Sequence, residues 1–258
     1  MKGLDAEHYL LSVSLDRKRV PSFDEYPFCL PVVRRLRTLT LHPAVTFIIG
    51  ENGSGKSTLL EAIAVAWGFN PEGGSRNFQF QTRASHSNLH EYLRLVRGVH
   101  RPRGGFFLRA ESFFNLATKI EELDRIECQE APIITRYGGR SLHEQSHGES
   151  FLSLLTNRFH GGGLYILDEP EAALSPARQM AALARIHQLA REKAQFIIAT
   201  HSPILMAYPN AGILQLTGEG MSAVEYTQTD YYRLTKAFLD RHEAMLEELM
   251  DSPDEAGS

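Results

Sequence analysis

The sequence predicts a mixed α/β fold, a sheet with flanking helices, and three observations carry that prediction. Short apolar runs rich in β-branched and aromatic residues recur at 45–49, 164–167 and 196–200, the pattern of strands buried on both faces. Each run ends in residues able to do chemistry: a glycine-rich loop, a pair of acids, and a histidine. Apolar positions at helical spacing leave the first run, as in Leu59, Leu60, Ile63 and Trp67.

The loop after the first run is Gly50-Glu51-Asn52-Gly53-Ser54-Gly55-Lys56-Ser57-Thr58, which fits the pattern Gly, four residues, Gly-Lys-Ser/Thr. Triphosphate oxygens need several backbone N–H groups turned inward, and glycines let a loop curl that tightly against a ligand. Lys56 supplies a mobile positive charge for the β- and γ-phosphates, and Ser57 a hydroxyl ligand for Mg²⁺. The helix that follows turns its positive end to the same phosphates. Strand, glycine loop and helix in this order predict a nucleoside triphosphate site.

Composition narrows the class. The chain has 258 residues, 43% hydrophobic and 22% charged, as in an ordinary globular protein. A net charge of −4 means that nucleic acid or a membrane surface could be bound only by a local patch. No run reaches the apolar length of a membrane span, and the first residues lack a signal peptide's apolar stretch, so a cytoplasmic protein is expected. Cys29 and Cys128, far apart, predict neither a disulfide framework nor a metal pair.

Taken in order, residues 9–15 read as a first strand, and the proline-punctuated stretch 21–31 as a loop. That loop carries Phe23, Tyr26 and Phe28, any one of which could stack on an adenine ring. Residues 36–41 read as a strand leading to the phosphate-loop strand. From 68 to 105 glycine, asparagine, serine and histidine become frequent, with a helix expected over 87–96. Arg94, Arg97, Arg101, Arg103 and Arg109 make this the most basic part of the chain, either a solvated face or a surface for an acidic partner. A short strand at 106–108 and a helix at 111–122 complete this part.

Residues 164–170, Leu-Tyr-Ile-Leu-Asp-Glu-Pro, describe a buried strand that delivers Asp168 and Glu169 at its C-terminal edge, where open α/β sheets bind ligands. Asp168 is expected to hold Mg²⁺ and Glu169 to polarise the attacking water. Ser175 then caps a helix with Pro176 at its first position, running to about 193. The strand at 196–200 ends at His201-Ser202-Pro203, which puts a histidine within reach of a γ-phosphate. Before a helical run starting at Phe151, Ser146-His147-Gly148-Glu149-Ser150 offers a hydroxyl and glycine N–H, a second anion site or a plain helix cap. Residues 230–250 read as one helix bearing Leu234, Phe238, Leu239, Met245, Leu246 and Leu249, and 251–258 as an acidic disordered tail.

A phosphate loop, then Ser-His-Gly-Glu-Ser, then the acidic strand, then Thr-His-Ser-Pro resembles the ATP-binding-cassette ATPases, and most of all small stand-alone bacterial ATPases of the P-loop superfamily. The resemblance covers about residues 1–240. It implies one domain over 1–250, with a core at 1–67 and 161–250 and a helical, arginine-rich subdomain at 68–160. It implies that residues 50–58 wrap ATP, that Ser57 and Asp168 ligate Mg²⁺, and that Glu169 is the catalytic glutamate. His201 becomes the γ-phosphate-sensing histidine. Ser146, His147, Gly148, Glu149 and Ser150 become the signature that closes on ATP held by the other subunit of a head-to-tail homodimer. Three departures stand out. His147 replaces the signature's first glycine, Ser175 stands where aspartate is common, and no glutamine lies at the usual distance before the signature. Glu111 is its positional counterpart, with Gln79 and Gln81 as rivals.

The function expected is ATP binding and Mg²⁺-dependent hydrolysis that couples subunit closure to an unidentified protein partner. A nucleic-acid repair or defence ATPase using segment 94–109, a nucleotide-operated switch, and the ATP-binding subunit of a transporter are the alternatives. A P-loop kinase would leave the later motifs without a role.

Overall fold

The computed structural model describes residues 9–74, 87–109, 147–218 and 220–251. Its elements are β1 (Leu10–Leu15), α1 (Pro31–Arg34), β2 (Thr38–Thr40), β3 (Val45–Ile49) and α2 (Lys56–Trp67), then β4 (Leu93–Arg97) and β5 (Gly104–Arg109). There follow α3 (His147–Asn157), β6 (Gly163–Asp168), α4 (Pro176–Arg191), β7 (Gln195–Ala199), α5 (Pro203–Met206), β8 (Gly212–Thr217), β9 (Gly220–Ala223), α6 (Asp230–Asp240) and α7 (His242–Asp251).

The main sheet has the order β5-β6-β7-β3-β8-β9, parallel except for the antiparallel β8–β9 hairpin. Its side chains alternate between two cores, as a strand period of two requires. Val45, Phe47, Ile49, Phe106, Leu108, Tyr165, Leu167, Phe196 and Ile198 pack with α3 and α4 on one face. Ile48, Phe107, Leu164, Ile166, Ile197 and Ala199 pack with α2 on the other. All five residues of β3 and all six of β6 are buried, which is why both runs lack the alternation of a half-exposed strand.

A second sheet, antiparallel in the order β2-β1-β4, covers α2. Gln195 of β7 ties it to the main sheet. Its Oε1 accepts from the N–H of Tyr9 (3.1 Å) and Leu10 (2.9 Å), and its Nε2 donates to the carbonyls of Leu10 (2.8 Å) and His42 (3.1 Å). A fully buried amide thus fills four hydrogen bonds where two sheets meet.

The helix expected over 87–96 is a correction. Residues Asn88–Tyr92 form one 3₁₀ turn, and Leu93–Arg97 form strand β4 against β1. Leu93 and Leu95 pack on the core while Arg94, Val96 and Arg97 face outward, so a period of two wins over the helical one. Consequently the described part of 68–109 supplies a strand to each sheet. The expected C-terminal helix is two, α6 and α7, divided at Arg241 with non-helical φ −143° and ψ 37°. The expected strand at 36–41 is the shorter β2, whereas that at 106–108 is the longer β5. The hairpin β8–β9 falls in a stretch for which the sequence pattern carries no strand expectation. The helix expected at 111–122, Cys128 and the tail 252–258 lie outside the described residues.

Candidate active site

Three chain reversals meet at the C-terminal edge of β3, β7 and β6, which lie side by side in parallel. The first is the phosphate loop. Gly50 opens it at φ +156°, with its Cα so close to β8 that a Cβ would stand 2.8 Å from the Leu216 Cβ. Gly55 closes it at φ +93°, where a Cβ would meet Val32 Cγ1 at 2.6 Å. A side chain at either position would meet both a strained backbone and an occupied space. Within the loop, Ser54 Oγ is buried without a hydrogen-bond partner, a polar atom suited to an anionic ligand.

Lys56 starts α2 and is buried. Its Nζ donates to the carbonyls of Gly50 (2.9 Å) and Glu51 (3.0 Å). Burial pushes its ammonium down, and the carboxylates of Glu169, Asp168 and Glu171 oppose that effect. The next residue, Ser57, donates through Oγ to Asp168 Oδ1 at 3.1 Å across 111 positions of chain.

Asp168 ends β6 in register with Ala199 of β7 and Arg109 of β5. Burial pushes its carboxyl up to about 6, and the Ser57 hydrogen bond and the Arg109 guanidinium only partly offset it. Arg109 is itself clamped by Glu61 of α2, Nη1 to Oε2 at 2.6 Å. A desolvated carboxylate beside a hydroxyl is a hard-oxygen pair of the kind that Mg²⁺ takes together with substrate phosphates. Among the described residues there is no group of three or more His, Cys, Asp or Glu that could hold a metal ion.

Glu169 follows with φ 51° and ψ 52°, a left-handed conformation that costs a side-chain-bearing residue about 1 kcal/mol or more. Its N–H donates to the Ala199 carbonyl (3.0 Å), so the sheet ladder holds the strain in place. Its Oε1 lies 3.3 Å from His201 Nε2. His201 is fixed from two further sides: its N–H donates to Glu171 Oε1 at 2.5 Å, and Nδ1 meets the Tyr231 hydroxyl at 2.7 Å. Tyr231 in turn donates to the Gly50 carbonyl at 2.8 Å. Glu171 and Tyr231 escaped the sequence reading, because nothing in their local pattern ties them to residues 30 and more positions away.

The structure separates the three aromatic candidates. Phe28 is buried with its ring against Tyr92 (centroids 4.9 Å), and Phe23 lies under the Arg17 guanidinium at 4.4 Å. Tyr26 is 64% exposed, and its hydroxyl reaches Thr58 Oγ1 at the end of the loop, 3.5 Å away. The arginines of 94–109 also separate. Arg94 pairs with Asp16 (2.7 Å), Arg97 covers Trp67 (4.6 Å), and Arg109 pairs with Glu61. Arg101 and Arg103 line a cavity of about 680 Å³ with His100, His160 and Lys193.

Of the expected signature, Gly148 packs so tightly that a Cβ would meet the Ala173 carbonyl at 2.6 Å, and Ser150 is fully buried. Glu149 pairs with Arg178 of α4 at 3.1 Å. The start of α3 is therefore fastened to the segment that follows the acidic strand, which Ser175 caps by accepting from the Arg178 N–H. Ser146, Glu111, Gln79 and Gln81 lie outside the described residues, as does the side chain of His147.

Two family models match the sequence. One, described as "AAA domain", matches residues 28–125, and one described as "AAA domain, putative AbiEii toxin, Type IV TA system" matches residues 135–207. No curated protein matches it. Among solved structures, the ADP form of an ATP-binding cassette of an ABC transporter is 18% identical over 95% of this chain and 99% of its own, with a TM-score of 0.48. The cbiO1 protein of Clostridium perfringens, part of the ABC transporter complex cbiONQ, is 16% identical over 95% and 99%, at 0.48. An SMC head domain from Thermotoga maritima is 17% identical over 84% and 99%, at 0.46. With every score below 0.5, these are likenesses only, and the chemistry of the site is read from its own residues.

Proposed function

We propose that this chain, a P-loop ATPase of the ATP-binding-cassette type, hydrolyses ATP at the edge of β3, β6 and β7 with Glu169 as general base. One observation carries the reading. Chain segments more than 100 positions apart bring Lys56, the Ser57–Asp168 pair and the Glu169–His201 pair to one sheet edge. An accidental glycine turn has no reason to face two carboxylates held by another strand.

The residues divide the work. Residues 50–58 hold the triphosphate, with Lys56 turning from its carbonyl partners to the β- and γ-phosphates. Ser57 and Asp168 would hold Mg²⁺, which neutralises charge developing on the phosphates when bound. Glu169 takes a proton from water as the water oxygen bonds to the γ-phosphorus and the bond to the leaving ADP oxygen breaks. His201 lies beside that base as the candidate γ-phosphate sensor. The Tyr26 ring, exposed beside Thr58, is the adenine platform.

On this reading the active form is a head-to-tail homodimer in which Ser146–Ser150 close on ATP of the opposite subunit, and closure acts on a protein partner in the cytoplasm. No helix of the described residues is long and apolar enough to cross a membrane. Of the five arginines of the nucleic-acid alternative, three are engaged within the chain.

The test is the solution mass of Glu169→Gln with and without Mg-ATP. A shift from one copy to two that requires ATP supports the sandwich. A mass indifferent to ATP, with nucleotide demonstrably bound, removes the dimer and leaves a self-contained site.

A further inference from the structure

Tyr231, in the first turn of α6, joins two parts of the site that no sequence pattern connects. Its hydroxyl lies 2.8 Å from the Gly50 carbonyl oxygen and 2.7 Å from His201 Nδ1. A phenol has one proton and a carbonyl can only accept. The proton therefore goes to Gly50, and the Tyr231 oxygen accepts from Nδ1–H. The opposite tautomer would set two lone pairs against each other at 2.7 Å. Burial, with the carboxylates of Glu51, Glu169, Glu171 and Asp230, pushes the phenol up and keeps it a donor. The remaining ring nitrogen, Nε2, is buried, makes no hydrogen bond, and stands 3.3 Å from Glu169 Oε1.

We infer that Tyr231 is a positioning residue for hydrolysis, taking the Nδ1–H of His201 so that Nε2 stands at a set distance beside Glu169, and fastening the histidine to the phosphate loop through Gly50. This rests on the roles proposed above for Glu169 and His201. The consequence is chemical. Held through Nδ1–H, the ring makes no hydrogen bond to Glu169 from Nε2, so both carboxylate oxygens stay available to the attacking water. Released from Tyr231, the ring can take the other tautomer and donate Nε2–H to Glu169, which occupies the base. Donation from Nε2 to a phosphate oxygen in the wild type takes a second ring proton, so any such contact is a charged one.

Tyr231→Phe removes the hydroxyl and keeps the ring. ¹⁵N NMR of histidine-labelled protein, with His201 assigned by its loss in His201→Gln, reads the tautomer directly. The expected result is Nδ1–H in the wild type and a shift toward Nε2–H in Tyr231→Phe. With it, kcat falls about tenfold while the KM for ATP stays within about twofold, as for an interaction felt in the transition state alone. An Nε2–H tautomer in the wild type, or a tautomer and kcat unmoved in the variant, overturns the inference. The wild-type spectrum decides the tautomer even if the variant does not fold. A wild type with Nδ1–H and no ATP turnover supports the tautomer assignment and overturns the hydrolytic reading instead, so the two fail separately.

Discussion

Replacing Asp168 by asparagine should make the protein more stable alone and less stable with its substrate. The carboxyl is buried at the end of β6, and burial moves it from 3.8 to about 6. Ionised in the fold, it costs about 3 kcal/mol at 1.36 kcal/mol per pKa unit, before any compensation from relaxation. Asparagine keeps an oxygen that can accept from Ser57 Oγ and carries no charge to desolvate. We expect Asp168→Asn to gain about 2 kcal/mol at pH 8 without metal or nucleotide, or roughly 4–8 °C in Tm for a chain of this size. Because the folded pKa lies above the unfolded one, the protonated carboxyl is the form the fold prefers. Its stability is complete below 3.8 and is lost as pH rises through about 6. The gap between variant and wild type should therefore close on acidification toward pH 4. Saturating Mg-ATP should reverse the order at pH 8: at a hundredfold excess over Kd the wild type gains about 2.7 kcal/mol, which a variant lacking the metal ligand forgoes. Thermal melts over pH 4–8, with and without Mg-ATP, measure all of this. A variant less stable than wild type at pH 8 without ligand, or a gap that ignores pH, refutes the reasoning.

Three further outcomes follow from other parts of the molecule. Gln195→Ala removes the side chain that bonds two N–H groups and two carbonyls of the sheet junction, and should cost about 3 kcal/mol or more in urea unfolding. Gln195→Met, similar in shape, should not restore it, which separates hydrogen bonding from packing. Tyr165 donates to the His160 carbonyl and accepts its N–H, and burial pushes its phenol up, so the stability it contributes is present below pH 10 and lost above it. Tyr165→Phe should be less stable at pH 8 by about 1 kcal/mol, and its stability should fall less steeply above pH 10. Tyr26→Ala should raise the KM for ATP several-fold while Tyr26→Phe does not, because a stacking platform needs the ring and not the hydroxyl; equal effects would assign the role to the Thr58 contact.

The sequence made the centre of the site readable because its chemistry is local. A phosphate loop must be contiguous, and a strand that delivers Asp168 and Glu169 must be apolar up to its edge. The strands β3, β6 and β7 were legible for the same reason. What escaped reading depends on neighbours that local pattern does not encode. Leu93 and Leu95 suit a helix or a strand, and β1 decides between them. Gln195 resembles any polar residue at a strand start, and only two sheets meeting around it explain its burial. Tyr231 is one of two adjacent tyrosines, and its role depends on α6 returning to a loop 181 positions earlier. The arginines of 94–109 form a basic stretch in sequence, yet Asp16, Trp67 and Glu61 take three of them from three directions.

The central claim is that Glu169 is the base for ATP hydrolysis at this sheet edge. The most direct measurement follows ATP labelled at the γ-phosphate on purified wild type and on Glu169→Gln, with Mg²⁺ present, recording released phosphate and protein-bound ATP together. Steady phosphate release is expected from the wild type, and in the variant intact bound ATP with release reduced by about a hundredfold or more. Wild-type release rates in the variant, or release that survives in Lys56→Ala as well, would contradict the claim and move the chemistry away from this edge.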